Sequence, residues 1–276
     1  MAIQARGASG FVEANGIRQH YLEHGDGPVE IVIVPGITSP AITWEFVAEE
    51  LARDYRVITL DVRGRGLSDR PESDYSLPEY AADVSGVIAT LGLRRPVVLG
   101  HSMGARIAIA LGALHPDAPG PLIIVDPPLT GPGRDPYPTP LASFREQLAE
   151  AYAGTTAAAV RRFFPGWSEE ALQLRAEWLP TCAEHAVVAT YDHFDREDIF
   201  GYWAALRPPI LFIRGGDSPV ISPAGERELR ERNPVAEIVV TPGAGHMIPW
   251  DNLADFLAQV RGFVGQATAG AGRATA

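Results

Sequence analysis

The sequence predicts an α/β fold in which helices flank a mostly parallel sheet. Short apolar runs, each suited to a strand buried on both faces, alternate with stretches that carry apolar residues at helical spacing. This alternation is typical of βαβ units, whose strands lie parallel. Asn15-Gly16 separates two further strand-like stretches and predicts an antiparallel hairpin at the start of the chain. The eight predicted strands are 11–13, 17–22, 31–34, 57–60, 97–99, 122–125, 210–213 and 238–240.

Between residues 129 and 202 the strand pattern gives way to helical stretches that follow a proline- and glycine-rich linker. We expect this insertion after the sixth strand to form a helical lid, 129–202, over the edge of the sheet. The predicted core is 11–128 together with 203–265. Residues 1–10 and 266–276 are predicted to be disordered tails, the second because it is rich in glycine, alanine and threonine. The predicted lid helices are 141–153, 156–164, 168–179 and 183–194.

The composition limits the classes of partner. The chain has 276 residues, 46% of them hydrophobic, and a formal net charge of −11. That charge argues against nucleic acid or an anionic membrane surface as a partner, and no apolar run is long enough to span a bilayer. The single cysteine, Cys182, excludes an internal disulfide and a cysteine metal cluster, and it favours a cytoplasmic protein. The sequence carries no signal for a particular oligomeric state.

The strongest chemical signal is Gly100-His101-Ser102-Met103-Gly104, which stands between a predicted strand and an apolar helix. This G-x-S-x-G pattern in that context predicts a nucleophile elbow with Ser102 at its tip. Gly100 and Gly104 leave room for so tight a turn, because glycine has no Cβ. The backbone N–H of Met103, at the start of the helix, is expected to face the oxyanion that develops during attack.

A serine nucleophile needs a histidine base and a carboxylate that orients it. His246 lies in a glycine-flanked loop after the last strand, so we expect it at the same sheet edge as Ser102. Two carboxylates compete for the third role. Asp126 directly ends the sixth strand, where ligands of open α/β sheets bind. Asp217 follows the next strand but stands two residues out of the usual register, so the sequence favours Asp126 and leaves Asp217 as the alternative.

The second oxyanion donor should come from the loop after the strand 31–34, and we assign it to the Ile37 N–H. This loop has Pro35-Gly36 where a His-Gly pair is often found, and Gly36 still permits the turn. The loop 61–68 holds two arginines and two glycines, and we interpret it as a scaffold held by local salt bridges.

Four motifs fall in order along residues 11–265, and with them the core resembles the α/β-hydrolase superfamily. They are PGITSP, DVRGRGLS, GHSMGA and AGHMIPW. VDPP followed by GPGR, together with LRAEWL in the lid, narrows the resemblance to the N-formylmaleamate deformylases of aerobic nicotinate degradation. The resemblance implies an α/β-hydrolase fold and a triad of Ser102, Asp126 and His246. It also implies that no metal or organic cofactor is needed.

From this resemblance we expect a serine hydrolase that cleaves an N-formyl amide to formate and maleamate, with water as co-substrate. An esterase, enol-lactone hydrolase or C–C bond hydrolase on the same fold is the alternative. A non-catalytic ligand-binding protein is a third hypothesis, which the presence of all three triad residues disfavours.

The expected substrate carries a carboxylate, which is costly to bury unless a donor or a cation meets it. In the lid, Arg175 is a candidate, with Trp178 one helical turn further on the same face. Arg134 in the linker is a second candidate. Thr38, beside the predicted oxyanion donor, is a further candidate substrate ligand.

Overall fold

A computed structural model describes residues 3–207 and 209–271 and contains one eight-stranded sheet. The strand order is β1-β2-β4-β3-β5-β6-β7-β8, with β1 and β2 antiparallel to their neighbours and the other strands parallel. The predicted α/β class and the eight strands are therefore confirmed. The strands are β1 Ala8–Ala14, β2 Ile17–His24, β3 Glu30–Val34, β4 Arg56–Leu60, β5 Val97–His101, β6 Leu122–Val125, β7 Ile210–Gly215 and β8 Glu237–Thr241.

The helices of the described residues fall into core helices and an insertion between β6 and β7. The core helices are α1 Glu45–Leu51, α2 Leu77–Thr90, α3 Met103–Leu114, α8 Ile199–Ala205, α9 Pro223–Arg232, α10 Ile248–Asp251 and α11 Leu253–Ala271. Those of the insertion are α4 Leu141–Gly154, α5 Ala157–Val160, α6 Glu169–Trp178 and α7 Glu184–Arg196.

Alternate residues of the buried strands point to opposite faces, and each face has its own helical cover. Val32 and Val34 of β3 join the cluster that contains the apolar residues of α2 and α3. Ile31 and Ile33 of the same strand join the cluster formed with α1 and α11. Because both faces are covered, the central strands read as continuous apolar runs, which is why the sequence revealed them.

The hairpin forms as predicted, with both turn residues at positive φ, 51° at Asn15 and 75° at Gly16. The predicted tails need correction. Strand β1 begins at Ala8, whose backbone pairs with Glu23. Residues 8–10 of the predicted first tail therefore belong to the edge strand. Helix α11 continues through part of the second tail, since alanine favours helix extension. Residues 1–2 and 272–276 lie outside the described residues.

The insertion is helical as expected, but two boundaries differ. Helix α5 ends at Val160, because the chain turns so that Phe164 stacks on Trp167 with ring centroids 4.2 Å apart. Helix α8 packs against α3, so the chain returns to the core at Ile199 and not, as predicted, at residue 203. Among the described helices, none has the length and apolar character to cross a membrane.

Candidate active site

Ser102 occupies the sharp turn between β5 and α3 with φ 55° and ψ −118°, a strained conformation for a residue with a side chain. The flanking glycines are required by close backbone approaches. A Cβ on Gly100 would lie 2.1 Å from the Gly104 carbonyl oxygen, and one on Gly104 would lie 1.9 Å from the Val34 carbonyl oxygen. The elbow can therefore form only because Gly100 and Gly104, on either side of Ser102, carry no side chain.

Ser102, His246 and Asp126 form a continuous chain of hydrogen bonds, which we call the cavity triad. His246 Nε2 lies 3.0 Å from Ser102 Oγ, and His246 Nδ1 lies 2.7 Å from Asp126 Oδ2. Asp126 is fully buried and also accepts hydrogen bonds from the Gly215 N–H and the Ser218 hydroxyl. These two donors fix the position of the carboxyl group, which can then hold the imidazole in one orientation.

Asp217, the alternative acid, does not reach His246. Its side chain is exposed, while its backbone N–H donates to the Ala244 carbonyl at 2.9 Å. The structure thus places Asp126, and not Asp217, beside the imidazole. The register argument from the sequence and the geometry point to the same residue.

The loop that carries His246 is held on two sides. The Nε2–H of His101 donates to the His246 carbonyl oxygen at 2.9 Å, and the Gly245 N–H donates to the Asp251 carboxylate at 2.9 Å. Burial lowers the pKa of His101 to about 3, so this ring stays neutral at ordinary pH. Burial also raises the pKa of Asp251 above its usual value. His101 therefore positions the loop without adding charge behind the imidazole.

The two predicted oxyanion donors lie on either side of the nucleophile, in the loop after β3 and at the start of α3. Within the described part of the chain, the N–H groups of Ile37 and Met103 have no acceptor, so both are free to bind an oxygen. The Ile37 carbonyl accepts a hydrogen bond from Arg65 Nε at 2.9 Å. This contact fixes the orientation of the loop that would supply the first donor.

The two arginines of the 61–68 loop have different environments. Arg63 pairs with Asp83 at 2.5 Å and with Glu79 at 3.0 Å, as the scaffold interpretation predicts. Arg65 is completely buried and binds only neutral partners, among them Tyr80 and the Thr190 hydroxyl. The sequence did not predict the contact between Arg65 and the loop after β3. An arginine in a loop looks the same in the sequence whether it pairs with a carboxylate or with a backbone carbonyl.

The cavity triad opens into a cavity of about 520 Å³ between the sheet edge and the lid. The core contributes the oxyanion loop, the nucleophile and the base, while the lid contributes aromatic and polar side chains. The residues that line it include Gly36, Ile37, Thr38, Ser39, Ser102, Tyr137, Phe144, Gln147, Phe164, Trp167, Arg175, His246, Met247 and Asp251.

Arg175 places a cation in this cavity. Its guanidinium donates to the Thr38 carbonyl at 3.2 Å, to the Thr38 hydroxyl at 3.2 Å and to Gln147 Oε1 at 2.9 Å. The residue is 5% exposed, and no described carboxylate lies within ion-pair distance of it. Burial lowers the pKa of Arg175 to about 10. A buried, charged group whose protein partners are all neutral is a natural site for an anionic ligand.

Arg134 and Trp178, the other candidate ligands for a carboxylate, lie outside this cavity. Arg134 forms two hydrogen bonds, of 2.8 and 3.0 Å, with Glu228 and stacks over the Phe200 ring. Trp178 packs against the cluster that includes Ile42 and Leu22 and does not line the cavity. Helical spacing placed the two α6 residues on one side, but the cavity reaches only the first of them.

Tyr137 is a site residue that sequence reasoning did not identify. Its hydroxyl lies 3.2 Å from His246 Nε2, and its ring packs among Phe144, Tyr191 and Phe194. It belongs to the linker before α4, where prolines at 136 and 138 indicate only an irregular path. No local pattern in the sequence distinguishes this tyrosine from a surface one.

Within residues 3–207 and 209–271, no three His, Cys, Asp or Glu side chains are grouped so that they could hold a metal ion. Around the cavity, the described residues offer a nucleophile, a base, an orienting acid, two N–H donors and the buried Arg175 cation.

Comparison with known proteins agrees with this geometry. The sequence profile of the alpha/beta hydrolase family matches residues 31–260. N-formylmaleamate deformylase of Pseudomonas putida is 47% identical over 258 residues, 93% of this chain and 96% of that protein. 2-(Acetamidomethylene)succinate hydrolase of Mesorhizobium japonicum is 29% identical over 247 residues, 86% of this chain and 88% of that protein.

A crystal structure of the N-formylmaleamic acid deformylase from Pseudomonas putida is also similar. It superposes with a TM-score of 0.88 at 44% identity, and the match covers 92% of this chain and 100% of that one. The profile match covers most of the chain, and the elbow and the helical insertion after the sixth strand agree with it. This chain therefore belongs to the alpha/beta hydrolase family.

Proposed function

We propose that the protein is a serine hydrolase that converts N-formylmaleamate and water to formate and maleamate. The observation that carries this proposal is Arg175, a buried cation without a carboxylate partner among the described residues, in the same cavity as Ser102 and His246. A cavity with a nucleophile and a cation suits a small substrate with an acyl group and a carboxylate. The relatives supply the identity of the acyl group, since the deformylase is 47% identical to this chain.

In the first half-reaction, Ser102 Oγ attacks the formyl carbon while its proton passes to His246 Nε2, 3.0 Å away. The formyl oxygen becomes an oxyanion that the N–H groups of Ile37 and Met103 stabilise. Asp126 stabilises the imidazolium that has formed. The C–N bond then breaks, His246 returns the proton to the leaving nitrogen, and maleamate departs from a formyl ester of Ser102.

In the second half-reaction, a water molecule takes the place of the departed maleamate. His246 Nε2 removes a proton from this water, whose oxygen attacks the formyl carbon. The same N–H donors stabilise the second oxyanion. When the ester bond breaks, the proton on His246 passes to Ser102 Oγ, which restores the resting enzyme and releases formic acid, which ionises to formate in water.

Arg175 would bind the carboxylate at the far end of the substrate. It already orients Thr38, whose neighbour Ile37 supplies an oxyanion donor, so the carboxylate site and the oxyanion hole share one loop. Binding of the carboxylate would give the guanidinium a partner of opposite charge in place of neutral oxygens, and two parallel N–H bonds to a carboxylate add both energy and geometric specificity. This arrangement selects substrates that carry an anion and an acyl group at a set separation.

The test is formate release from N-formylmaleamate and from its methyl ester. Arg175→Ala should lower kcat/KM for the acid by about 10-fold to 100-fold, the roughly 1.5–3 kcal/mol of a hydrogen bond to a charged group. Arg134→Ala is the matched control and should change it less than about three-fold, since the Arg134 guanidinium is paired with Glu228 outside the cavity. The methyl ester should be a poor substrate of the wild type.

Equal rates on the acid and its ester would contradict a carboxylate site. If esters, enol-lactones or C–C bond substrates were turned over faster than N-formylmaleamate, one of those activities would replace the deformylase assignment. The proposed cytoplasmic location rests on the single cysteine, Cys182, which is a buried free thiol whose pKa burial raises to about 12.

A further inference from the structure

We infer that Tyr137 is a further catalytic residue, whose hydroxyl donates a hydrogen bond to the leaving half of the substrate as the C–N bond breaks. The inference rests on the proposed function, because it concerns a leaving group that is itself an amide. It concerns the negative charge that develops on the leaving half, to which neither the two oxyanion donors nor His246 is assigned a hydrogen bond before the proton is delivered.

The position of the hydroxyl suggests the role. The Tyr137 oxygen lies 3.2 Å from His246 Nε2, the atom that hands a proton to the leaving nitrogen. Ser102 Oγ lies 3.0 Å from the same nitrogen. The leaving group must pass next to Nε2 to be protonated, so it must also pass next to the Tyr137 hydroxyl. The oxyanion donors, by contrast, belong to the elbow and to the loop after β3.

The hydroxyl is a donor that is fixed in place. Tyr137 is 7% exposed, and its ring is held by the rings of Phe144 and Phe194, with centroids 6.4 and 5.5 Å away. Burial raises its pKa well above the usual value for tyrosine, so the O–H remains protonated throughout the working pH range. A donor that is already oriented pays little reorganisation cost when charge develops beside it.

The chemistry of the substrate creates a need for such a donor. The nitrogen that leaves the formyl carbon is bonded to a second carbonyl, that of the maleamate half. As the C–N bond breaks, its electron pair moves onto nitrogen and is delocalised onto this second carbonyl oxygen. A hydrogen bond from Tyr137 to that oxygen stabilises the charge until His246 delivers its proton to nitrogen. The tyrosine keeps its own proton, so no further acid or base is required.

The experiment compares two substrates that form the same formyl ester on Ser102. N-formylmaleamate expels an amide, whereas 4-nitrophenyl formate expels a phenoxide that has no second carbonyl. Tyr137→Phe should lower kcat/KM for N-formylmaleamate by about 10-fold to 100-fold, the range for loss of a hydrogen bond to a charged group. It should change kcat/KM for 4-nitrophenyl formate less than about three-fold. For both substrates kcat/KM reports the steps that form the same formyl ester, so a difference between them reflects the leaving group.

Tyr191→Phe is the matched control. It removes another lid hydroxyl, which donates to the Thr139 carbonyl at 3.1 Å, and it should change both rates less than about two-fold. An equal loss on both substrates would overturn the inference and make Tyr137 a positioning residue for His246. No loss on either would overturn it as well. If the wild type cleaved the aryl formate but not N-formylmaleamate, the proposed function itself would fail, and this result is separate from any effect of Tyr137→Phe.

Discussion

Two regions of this molecule carry the same chain of hydrogen bonds from serine to histidine to aspartate. One is the cavity triad. The other, the edge triad, consists of Ser9, His20 and Asp61 beside strand β1. Ser9 Oγ lies 2.8 Å from His20 Nε2, and His20 Nδ1 lies 2.7 Å from Asp61 Oδ2. By the distances alone, the edge triad is at least as well formed as the cavity triad.

The two triads differ in what surrounds the serine. Ser102 stands on a strained elbow at the N-terminus of α3, next to free N–H groups and inside a cavity. Ser9 lies in the regular, exposed edge strand β1. The Asp61 carboxylate also accepts the N–H groups of Ala41 and Leu67, so it ties two loops to the sheet. The edge triad fastens backbone segments together, whereas the cavity triad points at a space that a substrate can fill.

The comparison teaches that the serine–histidine–aspartate chain does not by itself define a hydrolase site. A tetrahedral intermediate needs donors for its oxyanion and a cavity that excludes bulk water. The elbow supplies one of these donors, because the turn that presents Ser102 also places the first N–H of α3 beside it, and the lid closes the cavity over both.

The serines should differ most. Ser102→Ala should lower kcat by a factor of about 10⁴ or more, and adding His246→Ala should lower it little further, because the two residues act as a unit. Ser9→Ala should leave kcat/KM within about two-fold of the wild type, as for a surface hydrogen bond. Turnover and labelling by a fluorophosphonate provide the measurement. Labelling at Ser9, or additive losses at Ser102 and His246, would contradict this view of the two triads.

The carboxylates provide the second test. Asp126→Asn should reduce kcat by about 10⁴, because an amide stabilises the wrong histidine tautomer. Asp217→Asn removes an exposed carboxylate of the neighbouring loop and should stay within a few-fold of the wild type. Steady-state kinetics on any substrate of the enzyme can make the comparison. The opposite ranking would assign the orienting role to Asp217.

The histidines should show the reverse pattern in stability. His20→Ala leaves the buried Asp61 without its imidazole partner, and it should lower the free energy of unfolding by about 1–3 kcal/mol while kcat/KM per folded molecule changes only a few-fold. His246→Ala should abolish turnover with a smaller stability loss, since the His246 side chain is partly exposed to the cavity. Urea unfolding followed by circular dichroism gives both free energies. A large kinetic defect in His20→Ala would show that the edge triad affects catalysis.

The comparison also shows where sequence reasoning fails. The G-x-S-x-G motif identified Ser102, because the tight turn requires glycine two residues before and two residues after the serine. No such local requirement marks Ser9 or His20, whose partner Asp61 lies 41 residues further along the chain. Tyr137 was not predicted for the same reason, because it lies 109 residues before its partner His246 in the sequence.

The α/β class, the eight strands, the elbow and the order of serine, acid and base could all be predicted from the residues. These features depend on the spacing of apolar residues, on glycines in tight turns and on loops that directly follow strands. All of these are local properties of the sequence. The choice between the two arginines of the insertion, by contrast, depended on how the chain packs. Arg134 and Arg175 have the same intrinsic chemistry, but the fold supplies Glu228 to the first and only neutral oxygens to the second. A charge becomes available to a substrate when packing leaves it unpaired, and packing is a property of the whole chain.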